Sequence, residues 1–211
     1  MTSRSLPTLR DRAWALLLAD DPRLAGVLSA SDWDRIDATM PHLRWEHQER
    51  GDIAEHSLDV AMLVTNRPAP AVVSGAAEAL VAFFTGRPRL ELFSRLLGRP
   101  ARLHLRRAQI NRMSEGARNH FHRDTDDDPD YVLGALLYPC DPAEYDGGEV
   151  CFEGADAPLK PPRRSLIVFR ADVGHALRPV VRCRAPRISV VLLFGEHPGD
   201  NRRLRGHERT A

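Results

Sequence analysis

The sequence predicts an α+β protein with a mainly β core, a sandwich or barrel, preceded by supporting helices. Three observations carry that reading. Over residues 1–100, apolar residues recur at helical spacing between capping residues. From residue 101 on, they alternate with polar residues or form short unbroken runs of strand length. Those runs follow one another with turns and no helix between them, as in an all-β sandwich or barrel.

The elements follow in order. "TLRDRAWALLLA" clusters its apolar residues at helical spacing and is expected to be a helix. "SASDWDRIDATM" offers Ser29 or Ser31 as a cap before Trp33, Ile36 and Met40. "SGAAEALVAFF" starts at a Ser74 cap, and "RLELFSRLLG" closes on Gly98 with Pro100 beyond it. In "ARLHLRRAQINRM" the residues Leu103, Leu105 and Ile110 mark a half-buried strand. "YVLGALLYP", "GGEVCFEG", "SLIVF", "HALRPVV" and "RISVVLLFG" are five more strands. The layout is therefore a helical part over residues 1–100 packed on a β core over 101–196, with no linker rich enough to separate them. Residues 197–211 are polar and basic without a periodic apolar face and are expected to be disordered. There is no internal repeat.

Composition narrows the function. With 43% hydrophobic and 28% charged residues the chain can build a globular core unaided. A formal net charge of +1 gives no reason to expect nucleic acid or an anionic membrane as partner. No apolar run approaches the ~20 residues of a membrane span. "AWALLLA" is too short for a secretory signal and is followed at once by Asp20, Asp21 and Pro22. The three cysteines, Cys140, Cys151 and Cys183, form no C-x-x-C motif and read as reduced thiols of a cytoplasmic protein.

The chemistry concentrates in "RNHFHRDTDDDPD", residues 118–130. In a strand, positions i and i+2 share a face, so His122 and Asp124 would converge with Arg123 turned away. A second histidine would complete a 2-His-1-carboxylate triad, which leaves positions open on Fe(II) for oxygen and an organic co-ligand. His175 lies 51 residues downstream, after a glycine turn. A lone histidine in that setting is more often structural. Arg187, twelve residues further on, opens a strongly apolar strand. A guanidinium entering a sandwich interior needs an anion, and a carboxylate held by two parallel bonds matches it. Ser189, on the same face, adds a hydroxyl. A rival reading takes His120 and His122 as an H-x-H pair with His175, as in a cupin, which would be an enzyme or a plain binding module. It leaves Arg187 unexplained.

The order H-x-D, a long gap, H, a dozen residues, then R-x-S resembles the Fe(II)/2-oxoglutarate-dependent dioxygenases, within them the prolyl 4-hydroxylase-like branch. The resemblance covers about residues 90–196, including "LLYPCDPAEYDGGEVCFEG" and "PPRRSLIVFRADVGHALRPVVRCRAPRISVVLLF". It implies a double-stranded β-helix, a jelly-roll relative, and a hydroxylase that converts 2-oxoglutarate to succinate and CO2 with O2 as co-substrate. By that resemblance His122, Asp124 and His175 hold Fe(II). Arg187 clamps the far carboxylate of 2-oxoglutarate with Ser189 beside it, and Tyr138 hydrogen-bonds the same co-substrate. Ascorbate is admitted as an accessory reductant. Asp124 argues for hydroxylation over halogenation, since related halogenases carry Gly or Ala there. Two departures stand out: Met113 replaces a tyrosine found in many relatives, and Ala185-Pro186 replaces a glycine turn.

Other polar groups are assigned blander roles. Arg102, Arg106, Arg107, Arg112 and Arg118 are expected on a solvated strand face, the sharper alternative being contact with an anionic substrate group. Asp126 to Asp130 are expected to form a mobile acidic loop near the site mouth, and His120 to stand behind the ligands or on the substrate side. His42, His47 and His56 are expected in an exposed helix–loop region. The substrate is expected to be a small molecule or an amino-acid or peptidyl unit, as no dedicated peptide groove is visible.

Overall fold

The computed structural model describes residues 8–50, 55–67 and 69–199; the expected disordered tail lies almost wholly outside them. The N-terminal part runs β1 (Trp14–Leu17), α1 (Ala30–Thr39), β2 (Glu46–Arg50), β3 (Glu55–Thr65), β4 (Ala71–Val72), α2 (Gly75–Phe84) and α3 (Arg87–Leu97). Then come β5 (His104–Met113), β6 (Arg118–His122), β7 (Tyr131–Tyr138), β8 (Tyr145–Gly147) and β9 (Val150–Phe152). The chain ends on β10 (Ser165–Arg170), β11 (His175–Leu177), β12 (Val180–Cys183) and β13 (Arg187–Gly195).

The helices form where their caps predict. Ser29 caps α1 in a reciprocal box with Asp32, and the Ser74 hydroxyl accepts from the Ala77 N–H at the start of α2. The third helix ends at Gly98.

The N-terminal part is not all helical, however. Trp14–Leu17, expected in a helix, is a strand paired with β10 from Trp14↔Phe169 to Leu17↔Leu166. An apolar block this short fits either period, and the open edge of β10 decided it. His56 belongs to β3, an eleven-residue strand, not to an exposed helix–loop region. The alternation Leu58, Val60, Met62, Val64 was its overlooked signal. "HALRPVV" splits at Pro179 into β11 and β12, which join different sheets.

All strand pairings are antiparallel, and the main sheet runs β1-β10-β7-β13-β5-β3-β6-β11-β9. β3 turns the corner: Asp59–Val64 pair with β5, while His56 and Ser57 pair with β6. The sheet thus curls back over itself, as the expected double-stranded β-helix requires, and β2 and β4 extend it at β3. The N-terminal part therefore supplies strands of the sheet as well as helices packed on it.

Strand parity explains the unbroken apolar runs. Val190, Leu192 and Phe194 of β13 pack in one cluster with helical residues such as Leu80, Phe84 and Phe93, while Leu136, Tyr138, Ile167 and Phe169 face the inside of the curl. Both faces of β7 and β10 are covered, so both are apolar. No helix among the described residues is long and apolar enough to cross a membrane.

Candidate active site

A cleft of about 430 Å³ opens inside the curl. His122, Asp124 and His175 line it, and each offers a ligand atom within 4.8 Å of the others. Among the described residues this is the one group of three His, Cys, Asp or Glu side chains that converges in this way. The sequence argument for Asp124 needs amending. β6 ends at His122, and Asp124 opens a 3-10 turn over Asp124–Asp126, so the turn and not the strand pleat aims its carboxylate.

Each histidine is set by a backbone carbonyl. His122 Nδ1 donates to His120 O at 2.8 Å, and His175 Nδ1 donates to Val173 O at 3.1 Å. A carbonyl only accepts, so both Nδ1 atoms carry the proton and both Nε2 lone pairs are presented outward. His122 Nε2 lies 3.8 Å from Asp124 Oδ1. Burial pushes the His175 pKa below the ordinary imidazole value, against the pull of Asp124, which favours the neutral ring a metal requires. The Oδ2 atom of Asp124 is buried without a hydrogen-bond partner among the described residues. A buried carboxylate oxygen left in that state is suited to a cation.

A second group lies deeper. Arg187 is fully buried, yet no carboxylate pairs with it among the described residues. Its contacts are neutral: Nη1 donates to Ser189 Oγ at 3.3 Å and to Met113 Sδ at 3.3 Å, and Nη2 donates to Tyr138 Oη at 3.1 Å. Met113, the departure from a tyrosine, thus stands against Arg187, opposite it in the β13–β5 register. Burial pushes the Tyr138 pKa up to about 12 against the pull of Arg187, so the phenol keeps its proton at neutral pH. Gly148 makes room here: its φ is +68°, and a Cβ on it would lie 2.8 Å from Arg187 Cδ.

The remaining expectations sort clearly. His120 is exposed and serves the cluster through its carbonyl. The cupin trio would need its imidazole, but the converging third side chain is Asp124. The acidic stretch is not a mobile loop. Asp127 and Asp128 are buried, bonded to Arg107 at 3.1 Å and to Arg106 at 2.7 Å. Arg106, expected on a solvated face, is fully buried. Two arginines and two aspartates close together cancel charge in the interior, which the linear sequence does not display. Reading by motif missed Gln48, His56, Asn66 and Asn119, which also line the cleft.

The model of the 2OG-Fe(II) oxygenase superfamily matches residues 108–195, the stretch that carries His122, Asp124, Tyr138, His175, Arg187 and Ser189. Over that stretch the chain is similar to the 2OG-Fe(II) oxygenase superfamily. A solved oxidoreductase of the 2OG-Fe(II) oxygenase family from Burkholderia pseudomallei is 26% identical to this chain, with a TM-score of 0.80 over 92% of this chain and 90% of that one. A Pseudomonas putida prolyl-4-hydroxylase is 21% identical at TM-score 0.57, covering 90% of this chain and 95% of its own. A prolyl hydroxylase from Trichoplax adhaerens, solved with a hypoxia-inducible-factor peptide fragment, is 13% identical at 0.62, over 96% and 89%. These last two share the fold. The sequence has no match among curated proteins. The oxygenase family uses Fe(II), 2-oxoglutarate and O2, and the donor set of two imidazoles and one carboxylate fits Fe(II).

Proposed function

We propose that this oxygenase hydroxylates an aliphatic C–H of an amino-acid-like, peptidyl or other small-molecule substrate, converting 2-oxoglutarate to succinate and CO2. One observation carries the reading. A fully buried arginine without a carboxylate partner lines the same cleft as a converging His/Asp/His group. A buried guanidinium left so is costly unless an anion reaches it.

In this reading His122 and His175, through Nε2, and Asp124, through its carboxylate, hold Fe(II). Arg187 takes the far carboxylate of 2-oxoglutarate, with Ser189 and Tyr138 adding hydroxyl hydrogen bonds. Fe(II) with 2-oxoglutarate supplies the activation of O2 that oxidises the C–H bond. The chain's part is to bind, to orient and to keep water out. The backbone carbonyls of His120 and Val173 fix the imidazole tautomers. Phe169, edge-on to His175 at 4.9 Å between ring centres, walls the ligand group on its apolar side. Asp124 fills the position that would otherwise admit a halide, which supports hydroxylation. The three thiols, all free, suit the reducing surroundings of the cytoplasm, where we place the protein.

The test needs no substrate. Under argon, wild type mixed with Fe(II) and 2-oxoglutarate should show the visible metal-to-ligand absorption of the bound complex, and under air slow uncoupled succinate formation. His175→Ala should lose both. No absorption in wild type, or full absorption in His175→Ala, would sink the assignment.

A further inference from the structure

The cleft has a second arginine at its other end. β13 and β5 run in the register Arg187↔Met113, Ser189↔Asn111, Val191↔Gln109 and Leu193↔Arg107. Residues two apart share a face, so one wall carries Arg187 at one end and Arg107 at the other, roughly 20 Å apart. Between them the β5 side is a polar row. Arg107 Nε donates to Gln109 Oε1 at 3.0 Å, and Gln109 Nε2 donates to Asn111 Oδ1 at 2.7 Å. All three line the cleft, beside the apolar Val191 and Leu193 of β13 on the same wall.

Arg107 is held in place. Its Nε is fixed by Gln109, and its Nη1 donates to Asp127 Oδ2 at 3.1 Å. Its Nη2 makes no hydrogen bond among the described residues, and 22% of the side chain is exposed. Asp127 also accepts from Asn66 at 3.1 Å and lies 3.7 Å from Arg67, so Arg107 is not its sole counter-charge. The Asp127 N–H in turn donates to Asp124 O at 3.0 Å. One 3-10 turn, about 6 Å, therefore separates Asp127 from the carboxylate of the ligand group.

We infer that Arg107, with Gln109 and Asn111 beside it, is a substrate subsite for a small molecule bearing a carboxylate, Arg107 Nη2 binding that group. The inference rests on the oxygenase reading and specifies its substrate class. A carboxylate on Arg107 leaves the carbon skeleton along the amide row, with a carbon a few bonds away facing His122, Asp124 and His175. A guanidinium already fixed by two partners loses little freedom on binding an anion, which favours affinity.

The experiment is calorimetric titration of the full chain, loaded under argon with redox-inert Zn(II) and saturating 2-oxoglutarate. The probes are free amino acids and aliphatic carboxylic acids, each beside its methyl ester. At least one acid should bind ten-fold or more tightly than its ester. Arg107→Gln should remove that ratio, and Arg107→Lys should restore part of it, which a purely structural role would not produce. A wild type that prefers no acid over its ester, or an Arg107→Gln protein that keeps the preference, overturns the inference. The wild-type acid–ester comparison stands even where a variant does not fold. Binding of 2-oxoglutarate in the loading step is read separately, and its absence overturns the oxygenase reading itself.

Discussion

His175 stands directly opposite His122 in the antiparallel register of β11 and β6, with ring centres 4.4 Å apart. Facing residues of such a pair have Cβ atoms about 5 Å apart, so pairing two short strands brings two imidazoles together without help from any loop. Asp124 is then delivered by the turn that ends β6. The 52 residues between the histidines in sequence are spent on strands that close the curl and return to the same spot.

Gly134 guards that pair from behind. A Cβ there would lie 2.2 Å from the Phe169 ring, which in turn packs edge-on against His175. Gly134→Ala should cost about 1–3 kcal/mol of stability, as overpacking does. It should also weaken Fe(II) binding, because the ring it displaces packs against His175. Thermal unfolding and an anaerobic Fe(II) titration check both; unchanged iron affinity in a destabilised variant would show that Phe169 yields elsewhere.

Arg187→Ala should lower 2-oxoglutarate affinity by about 2–5 kcal/mol, roughly thirty-fold or more, while leaving Fe(II) affinity near wild type. Titrations of each ligand by absorption separate the two. Equal loss of both would assign Arg187 a structural role.

Gly148→Ala should act on the same end of the cleft from a distance. The new methyl would press on Arg187 Cδ, in a backbone conformation with φ +68° that costs a non-glycine residue about 1–2 kcal/mol. The expected result is a 2-oxoglutarate Kd raised about ten-fold with iron binding kept. A Kd unchanged in a folded variant would show that Arg187 reaches its position without that space.

Asp128→Ala removes the nearer of two carboxylates beside the buried Arg106 and leaves Asp130, at 3.8 Å, as the other. A loss of about 3–5 kcal/mol is expected, read as a lowered denaturation midpoint. Burial pushes the Asp128 pKa up despite Arg106, so folding disfavours its ionised form and this group's contribution to stability should fall as pH rises through the carboxylate range. A variant within 1 kcal/mol of wild type would mean that Asp130 and the His197 carbonyl suffice to hold Arg106.

Much of this was legible in the sequence, for local reasons. The three helices announce themselves through caps, Ser29, Ser74 and Gly98, because unsatisfied backbone groups at helix ends select those residue types. β5, β7, β9, β10 and β13 show as alternation or as short apolar runs set off by turns, whereas β8 falls within an expected turn. H-x-D, His175 and Arg187 are legible because a metal donor set and a buried cation tolerate few substitutes. β1 and β3 were not read correctly: the first is too short to display a period, and the alternation in the second was masked by the charged residues before it.

The sequence by itself determined which groups are available: two imidazoles, a carboxylate and a guanidinium, each next to a strand or turn that can hold it. Tertiary structure decided which groups meet. It chose Asp124 over His120 through the end of β6, and it turned the acidic stretch from a loop into an internal counter-charge for Arg106 and Arg107. It also set Arg107 and Arg187 at the two ends of one wall through the register of β5 and β13. The physical reason is that backbone propensity and residue type act over a few neighbours, whereas burial, pairing register and charge compensation depend on contacts between residues far apart in the chain.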